Sequence, residues 1–296
     1  MPPIVLVLLA VAAVFHALWN VLLKTSEDPI ATSARGVAWG LVVATPFAAV
    51  AWLLNGTPAL PADAWILAGA SAVVELFYFV FLSAAYRRGD LSTVYPIARG
   101  TAPVLAVAVG LPVLGERLEP VAAAGIGLLL VGIWLARSPA RSGPAVGFAV
   151  LTGVAIATYT AIDRLGVLAA PPWLYGWVLW LFTAVLLQAW LGVRGLVRPT
   201  RSEPIPAADL PREEPAPALS GRRRDLVMGS AMVVTWFLVL LALSLAPLVA
   251  VAPLRESAIV LTTGWGVLRL GERRGAPLRV AGALAIGAGV LLLALA

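Results

Sequence analysis

The sequence predicts an all-α integral membrane protein with ten transmembrane helices, arranged as two inverted five-helix repeats. Composition is the first reason: of 296 residues, 61% are hydrophobic and 12% are charged, whereas soluble domains carry about 25% charged residues. The mean hydropathy is +0.95. The second reason is that apolar runs alternate with short charged turns along the chain. The third is that landmarks of the first half recur in the second.

Each apolar run has the length that a bilayer requires, which is about 20 residues for a helix. We predict spanning segments at 4–23, 31–54, 64–86, 91–113, 118–136, 145–163, 173–193, 225–244, 247–269 and 277–296. The one long connection, 198–224, holds six prolines and mixed charge. It is too polar to bury a core, and we expect a flexible cytoplasmic loop.

Basic residues predict the orientation of the segments. Of the 21 lysines and arginines, 17 fall in the loops after helices 1, 3, 5, 7 and 9, or beside them. The positive-inside rule places those loops in the cytoplasm and both termini outside, in a cell (inner) membrane. The net charge of +6 therefore indicates orientation rather than nucleic-acid binding. The absence of cysteine and the single histidine predict no metal and no cofactor.

Polar landmarks recur in the same order in both halves, at offsets of 156, 157 and 140 residues. The matched positions are Arg99 with Arg255, Gly115-Glu116 with Gly271-Glu272, Gly125 and Gly132 with Gly282 and Gly289, and Trp19-Asn20 and Lys24 with Tyr159-Thr160 and Arg164. We therefore divide the chain into a repeat at 1–140 and a second at 141–296, interrupted by the 198–224 loop. Because five helices is an odd number, the copies insert in opposite senses. The alternative is chance similarity between Leu-, Ala- and Gly-rich helices.

Several motifs carry a family resemblance. They are His16-Ala17-Leu18-Trp19-Asn20 with Lys24, Gly89-Asp90-Leu91-Ser92 with Tyr95-Pro96, Arg99-Gly100 and Pro103, and the Gly-Glu-Arg turns at 115–117 and 271–273. This pattern resembles the EamA family of the drug/metabolite transporter superfamily, over nearly the whole chain except 198–224. The resemblance implies a ten-helix carrier of small molecules, often a bacterial exporter of amino acids or related metabolites. The second copy departs from the pattern, because its proline is shifted by one position and Glu256 replaces Gly100.

Charged residues near the bilayer midplane are the main candidates for solute binding. Arg99 and Arg255 each lie eight residues into a predicted helix, roughly 12 Å from opposite membrane faces. Inverted-repeat transporters bind solutes at such a depth, and a guanidinium group suits a carboxylate or phosphate. The alternative is that Glu75 and Glu256 neutralise the arginines structurally. Glu75 lies mid-helix and either pairs with Arg99 or carries a proton that couples to transport.

Further candidates border those charges. On helix 1, His16, Asn20 and Lys24 form one polar stripe at i, i+4 and i+8, and Trp19 borders it. His16 either contacts solute or proton, or is hydrogen-bonded to a neighbour, and Lys24 snorkels. Tyr95 and Tyr159 either line a cavity or pack in the core. The paired glycines of helices 5 and 10 either pack the bundle or form a homodimer interface.

The favoured function is a secondary transporter, and more specifically an exporter, of an amino acid or related zwitterion. Two arginines and two glutamates near the midplane favour a charged or zwitterionic solute, and a phosphorylated or other organic anion is the nearest alternative. There is no Walker-type phosphate loop. An intramembrane enzyme would need a nucleophile beside a base, for which the sequence offers no clear pair, so we predict no enzyme. A non-transporting membrane scaffold is the remaining alternative.

Overall fold

A computed structural model describes residues 2–89, 91–117, 119–136, 143–197, 221–255 and 276–295. Within those ranges, the regular elements are helices and none is a strand. The helices are α1 (Pro3–Lys24), α2 (Pro29–Leu54), α3 (Ala62–Tyr86), α4 (Leu91–Gly110), α5 (Pro120–Ala136), α6 (Pro144–Ala169), α7 (Pro172–Val197), α8 (Gly221–Leu245), α9 (Leu248–Arg255) and α10 (Ala276–Leu295).

Six of these helices are long and apolar enough to cross a membrane, namely α1, α2, α3, α6, α7 and α8. Shorter apolar helices occur within α4, α5 and α10. The all-α membrane fold is therefore confirmed, whereas the count of ten spans stays a prediction. The rest of the ninth predicted segment, including Glu256, lies outside the described residues.

Proline and capping side chains explain where several helices begin. Proline opens α1, α2, α5, α6 and α7, a position whose N–H has no partner within the helix. The N-cap of α2 is Asp28, whose Oδ1 accepts a hydrogen bond from the Ala31 N–H at 3.4 Å. The same helix ends at Leu54, before Gly56 with φ +75°, which glycine adopts without strain.

Two helices extend beyond their predicted ends because of contacts with other helices. The helix α8 begins at Gly221, so Arg224 is helical and not part of a loop as predicted. Its guanidinium donates to the Leu22 carbonyl and to Thr25 Oγ1 of α1. The helix α6 continues to Ala169, and Arg164, predicted to lie in a loop, is inside it. Residues 198–220, the body of the predicted loop, lie outside the described residues.

The two halves of the chain interleave in space. The largest contacts pair α5 with α10, α3 with α6, α1 with α8, α4 with α6, α2 with α8, and α3 and α2 with α7. Each of these pairs joins one helix from 1–140 to one from 141–296. The core is therefore shared between the halves, and neither half encloses a core of its own.

The paired glycines predicted to bring helices together do so within this chain. A Cβ on Gly125 would lie 2.9 Å from the Gly289 carbonyl oxygen, and one on Gly132 would lie 2.6 Å from that of Gly282. The helices α5 and α10 therefore cross at backbone contact and run antiparallel. Small residues permit such an approach. These glycine faces pack the bundle, and the homodimer stays a prediction.

Candidate functional site

The indole of Trp236 in α8 lies at the centre of the bundle. Its ring centroid is between 5.9 and 6.4 Å from five other aromatic rings, which belong to Trp19, Tyr78, Phe79, Tyr159 and Trp180. All six side chains are at least 97% buried. These rings come from α1, α3, α6, α7 and α8, so residues from both halves meet here.

The Glu75 carboxylate lies against this aromatic cluster and is 1% exposed. Its Oε1 accepts a hydrogen bond from Trp236 Nε1 at 2.5 Å, and its Oε2 accepts one from Thr183 Oγ1 at 2.7 Å. Both oxygens are thus held by α8 and α7. The predicted pairing of Glu75 with Arg99 is not formed in this structure, because indole and hydroxyl donors satisfy the carboxylate instead.

Arg255 approaches the same cluster from α9 and is 5% exposed. Its Nη2 donates to Tyr159 Oη at 2.6 Å, and its Nη1 donates to Thr160 Oγ1 at 3.3 Å. The guanidinium carbon lies 5.6 Å from the centroid of the Tyr159 ring and 5.7 Å from that of Trp236. Its Nε has no hydrogen-bond partner in the described part of the chain, so a donor remains for a bound anion.

Arg99 and Tyr95 of α4 lie close to each other and to His16 of α1. Arg99 is 3% exposed, and its guanidinium carbon is 5.5 Å from the Tyr95 ring centroid. The charges of Arg99 and Arg255 both act on His16. The structure therefore brings the two predicted arginines to a common neighbour.

The imidazole of His16 is buried, with 2% exposure. It meets the ring of Trp19 edge-on at 4.8 Å and lies 6.4 Å from the ring of Tyr95. Neither imidazole nitrogen has a hydrogen-bond partner among the residues that the structure describes. A buried polar group without a partner is costly, and one beside two arginines is well placed to contact a bound solute.

Asn20, by contrast, has partners that leave it little freedom to bind solute. Its Nδ2 donates to the His16 carbonyl at 2.9 Å, and its Oδ1 accepts from Tyr86 Oη at 2.9 Å. The amide therefore ties α1 to α3. Lys24, one turn further, donates to the carbonyls of Tyr86 and Gly89 at 2.8 and 3.0 Å, so its ammonium group is held at the C-terminal end of α3.

Sequence reasoning missed three residues of this site. Trp236 and Thr183 hold Glu75, and Asp163 is a second buried carboxylate whose Oδ1 accepts hydrogen bonds from Ser71 at 2.6 Å and from Tyr175 at 2.9 Å. Glu75 lies within electrostatic range of Asp163 and Arg255. A charge inside an apolar helix is itself a signal of function, and it would have identified Asp163.

Little space separates these groups in the conformation described. A cavity of about 10 Å³ lies beside Arg255, lined by Ala102, Pro103, Thr160 and Ala252 among others. That is room for about one water molecule. A solute therefore reaches the arginines only if helices move apart.

A second cluster lies at the C-terminal end of α8, opposite to the arginines at the start of that helix. The Glu116 carboxylate accepts hydrogen bonds from the Leu248 N–H at 2.8 Å and the Val249 N–H at 2.9 Å. Its Oε1 is also 3.4 Å from Arg164 Nε. Glu116 therefore caps the start of α9, a helix of the other half.

A multi-helix bundle with six membrane-length apolar helices and buried charges at its centre defines a polytopic membrane protein. Residues 3–138 match the sequence profile of the EamA-like transporter family. That family is part of the drug/metabolite transporter superfamily, and the match over this part of the chain confirms the resemblance that the sequence motifs predicted. Members of that family are transporters and not enzymes, and the match therefore indicates a multi-pass membrane transporter.

A comparison with solved structures gives the same fold. A crystal structure of a protein 18% identical to this chain superposes with a TM-score of 0.68, over 98% of this chain and 96% of the other. At that identity the likeness shows the fold alone. Comparison with curated proteins finds no match.

Proposed function

We propose that this transporter exports a small zwitterionic metabolite, an amino acid or a close relative, by alternating access at the central cluster. One observation carries the proposal. Arg99 and Arg255 supply positive charge, and Arg255 Nε has no hydrogen-bond partner among the described residues. Glu75 and Asp163 supply buried carboxylates within electrostatic range of Arg255. A solute with one carboxylate and one ammonium group is complementary to both.

Contacts between helices support the inverted repeat that alternating access requires. An exchange of the halves maps α1 onto α6, α3 onto α8 and α2 onto α7. The contact of α1 with α8 then corresponds to that of α6 with α3, and α2 with α8 corresponds to α7 with α3; all four contacts are present. The same exchange maps α5 onto α10, and it interchanges the contact of Gly125 with Gly289 and the contact of Gly132 with Gly282. These regularities favour a ten-helix arrangement with opposed repeats.

Equivalent basic side chains support the same symmetry. Lys24, near the end of the first helix, donates to the Tyr86 carbonyl in the last turn of α3. Its predicted counterpart Arg164 donates to the Leu243 carbonyl in the last turn of α8. Each cation satisfies a carbonyl group at a helix C-terminus, where positive charge is favoured.

Counterflow in proteoliposomes tests the proposed function without knowledge of the driving ion. Vesicles loaded with unlabelled amino acid should accumulate the labelled compound with wild type and with Arg88→Ala, but not with Arg99→Ala. Arg88 serves as the control because it is exposed and its contacts lie away from the central cluster. Its guanidinium donates a hydrogen bond to the Ala84 carbonyl and stacks on the Phe148 ring. Exchange of organic anions alone would favour the anion carrier. No movement of any solute through folded protein would overturn the transporter proposal and favour the scaffold.

Proton coupling through Glu75 is part of the proposal. A carboxylate buried between Thr183 and Trp236 can alternate between charged and protonated forms as solute binds and leaves. The substitution Glu75→Gln keeps the shape and one acceptor oxygen but cannot carry the proton. Export should then lose its dependence on a pH gradient, measured as initial rate with and without the gradient. An unchanged dependence contradicts coupling at this residue.

The proposed orientation has both termini outside the cytoplasm. The contacts of Arg35 with Asp225 and of Arg194 with Asp28 join the ends of helices flanked by the arginine-rich loops, which supports placing those loops on one side. A fluorescent reporter that matures only in the cytoplasm, fused to the C-terminus, should stay dark. Fluorescence would reverse the orientation.

A further inference from the structure

We propose that Glu116, Arg164 and the first turn of α9, here called the outer gate, close the transport path at one end of the bundle. This is the end opposite the arginine-rich loops, which faces the outside in the proposed orientation. The inference rests on the proposed function, because alternating access at the central cluster requires a gate on each side of the bound solute. The particular residues follow from the contacts around them.

The small cavity beside Arg255 leads toward the outer gate. Its walls belong to α4, α6 and α9, and on each of these helices a gate residue lies three or four positions beyond a wall residue. The matched residues are Ala106 and Gly110 in α4, Thr160 and Arg164 in α6, and Ala252 and Val249 in α9. That spacing is one helical turn, about 5.4 Å. A solute that leaves Arg255 between these helices therefore meets the gate one turn further on.

Polar contacts hold the outer gate closed in this structure. The Glu116 carboxylate accepts the N–H groups of Leu248 and Val249 at the start of α9. Arg164 Nε lies 3.4 Å from Glu116 Oε1, and Arg164 Nη1 donates to the Leu243 carbonyl near the end of α8. One carboxylate thus fastens the turn after α4 to α6 and α9, and Arg164 extends the connection to α8.

Close packing leaves no passage beside these polar contacts. A Cβ on Gly110 would lie 2.6 Å from Val249 Cγ1 and 2.9 Å from Glu116 Oε2. Leu248 and Val249 are both buried, with 0% exposure. The end of α4 and the start of α9 must therefore separate before a solute passes between them, and that separation breaks the contacts of Glu116.

The position of the charged pair suits contacts that break and form again. The side chains of Glu116 and Arg164 are 8% and 16% exposed, so they lie at the edge of the buried region. When the helices separate there, water replaces the lost hydrogen-bond partners, which makes the net cost of opening small. The charges of the central cluster, by contrast, lie where the solute itself has to replace their partners.

A disulfide across the outer gate tests the proposal in a chain that has no cysteine of its own. In the double variant Gly110→Cys/Val249→Cys, the two Cβ atoms would lie within about 4 Å of each other, as a disulfide requires. Oxidation should abolish counterflow, and reduction should restore it, which also shows that the variant is folded. Each single-cysteine variant, treated with the same oxidant, is the matched control and should keep its exchange.

A second measurement needs no solute. A single cysteine at Ala106, in the cavity wall, is labelled with a membrane-impermeant thiol reagent in intact cells and in inverted membrane vesicles. Arg164→Gln removes the charge that pairs with Glu116, so labelling from outside should become about tenfold faster, whereas labelling from the cytoplasm should not become faster. Glu119→Gln, an exposed carboxylate near the same turn, should change neither rate.

The outcomes separate the gate from the proposed function. Counterflow that persists after the disulfide has formed would overturn the gate and leave the transporter intact. Equal acceleration of labelling from both sides by Arg164→Gln would also overturn the gate, because it would indicate a general loosening of the fold. If wild type exchanges no solute, the proposed function fails, and labelling alone decides the gate. Acceleration from one side only supports the gate and identifies the side that it faces.

Discussion

Replacement of Glu116 by glutamine should destabilise the fold by weakening the contacts of this residue with α6 and α9 of the second half. The Glu116 side chain is 8% exposed, and its two oxygens accept the backbone N–H groups of Leu248 and Val249 at 2.8 and 2.9 Å. It therefore caps α9 and at the same time pairs with Arg164 of α6. Glutamine keeps the shape but offers one acceptor oxygen and no charge.

The magnitude follows from what glutamine cannot replace. One of the two N–H groups loses its acceptor, and a hydrogen bond to a charged group contributes about 1.5–3 kcal/mol. The interaction of the carboxylate with the helix N-terminus adds about 0.5 kcal/mol. The free energy of unfolding should thus fall by about 2–3.5 kcal/mol. Glu116→Ala should cost about 3–5 kcal/mol, because it leaves Arg164 without its ion-pair partner.

Unfolding in mixed micelles of increasing SDS content, followed by circular dichroism, measures this difference. The matched control is Glu119→Gln, an exposed carboxylate three residues away, which should change the free energy of unfolding by less than about 0.5 kcal/mol. Equal unfolding midpoints for Glu116→Gln and Glu119→Gln would refute the capping role inferred for Glu116.

Three further predictions concern other parts of the molecule. Gly132→Ala should lower the melting temperature, because its Cβ would lie 2.6 Å from a carbonyl oxygen of the facing helix, whereas Gly127→Ala, with no atom within 4 Å, should be neutral or stabilising. Tyr159→Phe should weaken solute exchange about tenfold or more, because a hydrogen bond to a charged group contributes about 1.5–3 kcal/mol, and retained exchange in counterflow would be the contrary result. The pKa of Asp28 lies below its usual 3.8, so the stability that the Asp28 carboxylate contributes is present above that pH and is lost on further acidification. Asp28→Asn should abolish this part of the dependence of stability on pH. Identical acid melting curves for wild type and Asp28→Asn would count against the pair with Arg194.

The helices were predictable because their signal is local. Runs of apolar residues with proline or glycine at the ends, such as Pro29 and Gly56, mark segments by length and composition alone. The end of α6 was not predictable in this way, because Arg164 lies inside the helix before its end at Ala169 and its charge suggested a loop. Its partners, Glu116 and the Leu243 carbonyl, are far away in sequence, and their contacts make a charged residue tolerable inside the helix.

The charges of the site were predictable, but their partners were not. Arg99, Glu75 and Arg255 stand out as ionisable residues within apolar helices. Trp236 carries no such signal in a chain with 11 tryptophans, most of which need no special role. Its importance comes from three-dimensional packing, which places its N–H on a carboxylate 161 positions earlier in the sequence.

Access to the central cluster from both sides of the membrane tests the account most directly. The chain contains no cysteine, so a single cysteine at Ala102, which lines the cavity beside Arg255, can be followed alone. In proteoliposomes, a membrane-impermeant thiol reagent should label it when added to either side, and the exchanged solute should slow that labelling. Labelling from one side only, or at a rate that the exchanged solute does not change, would contradict alternating access at this site.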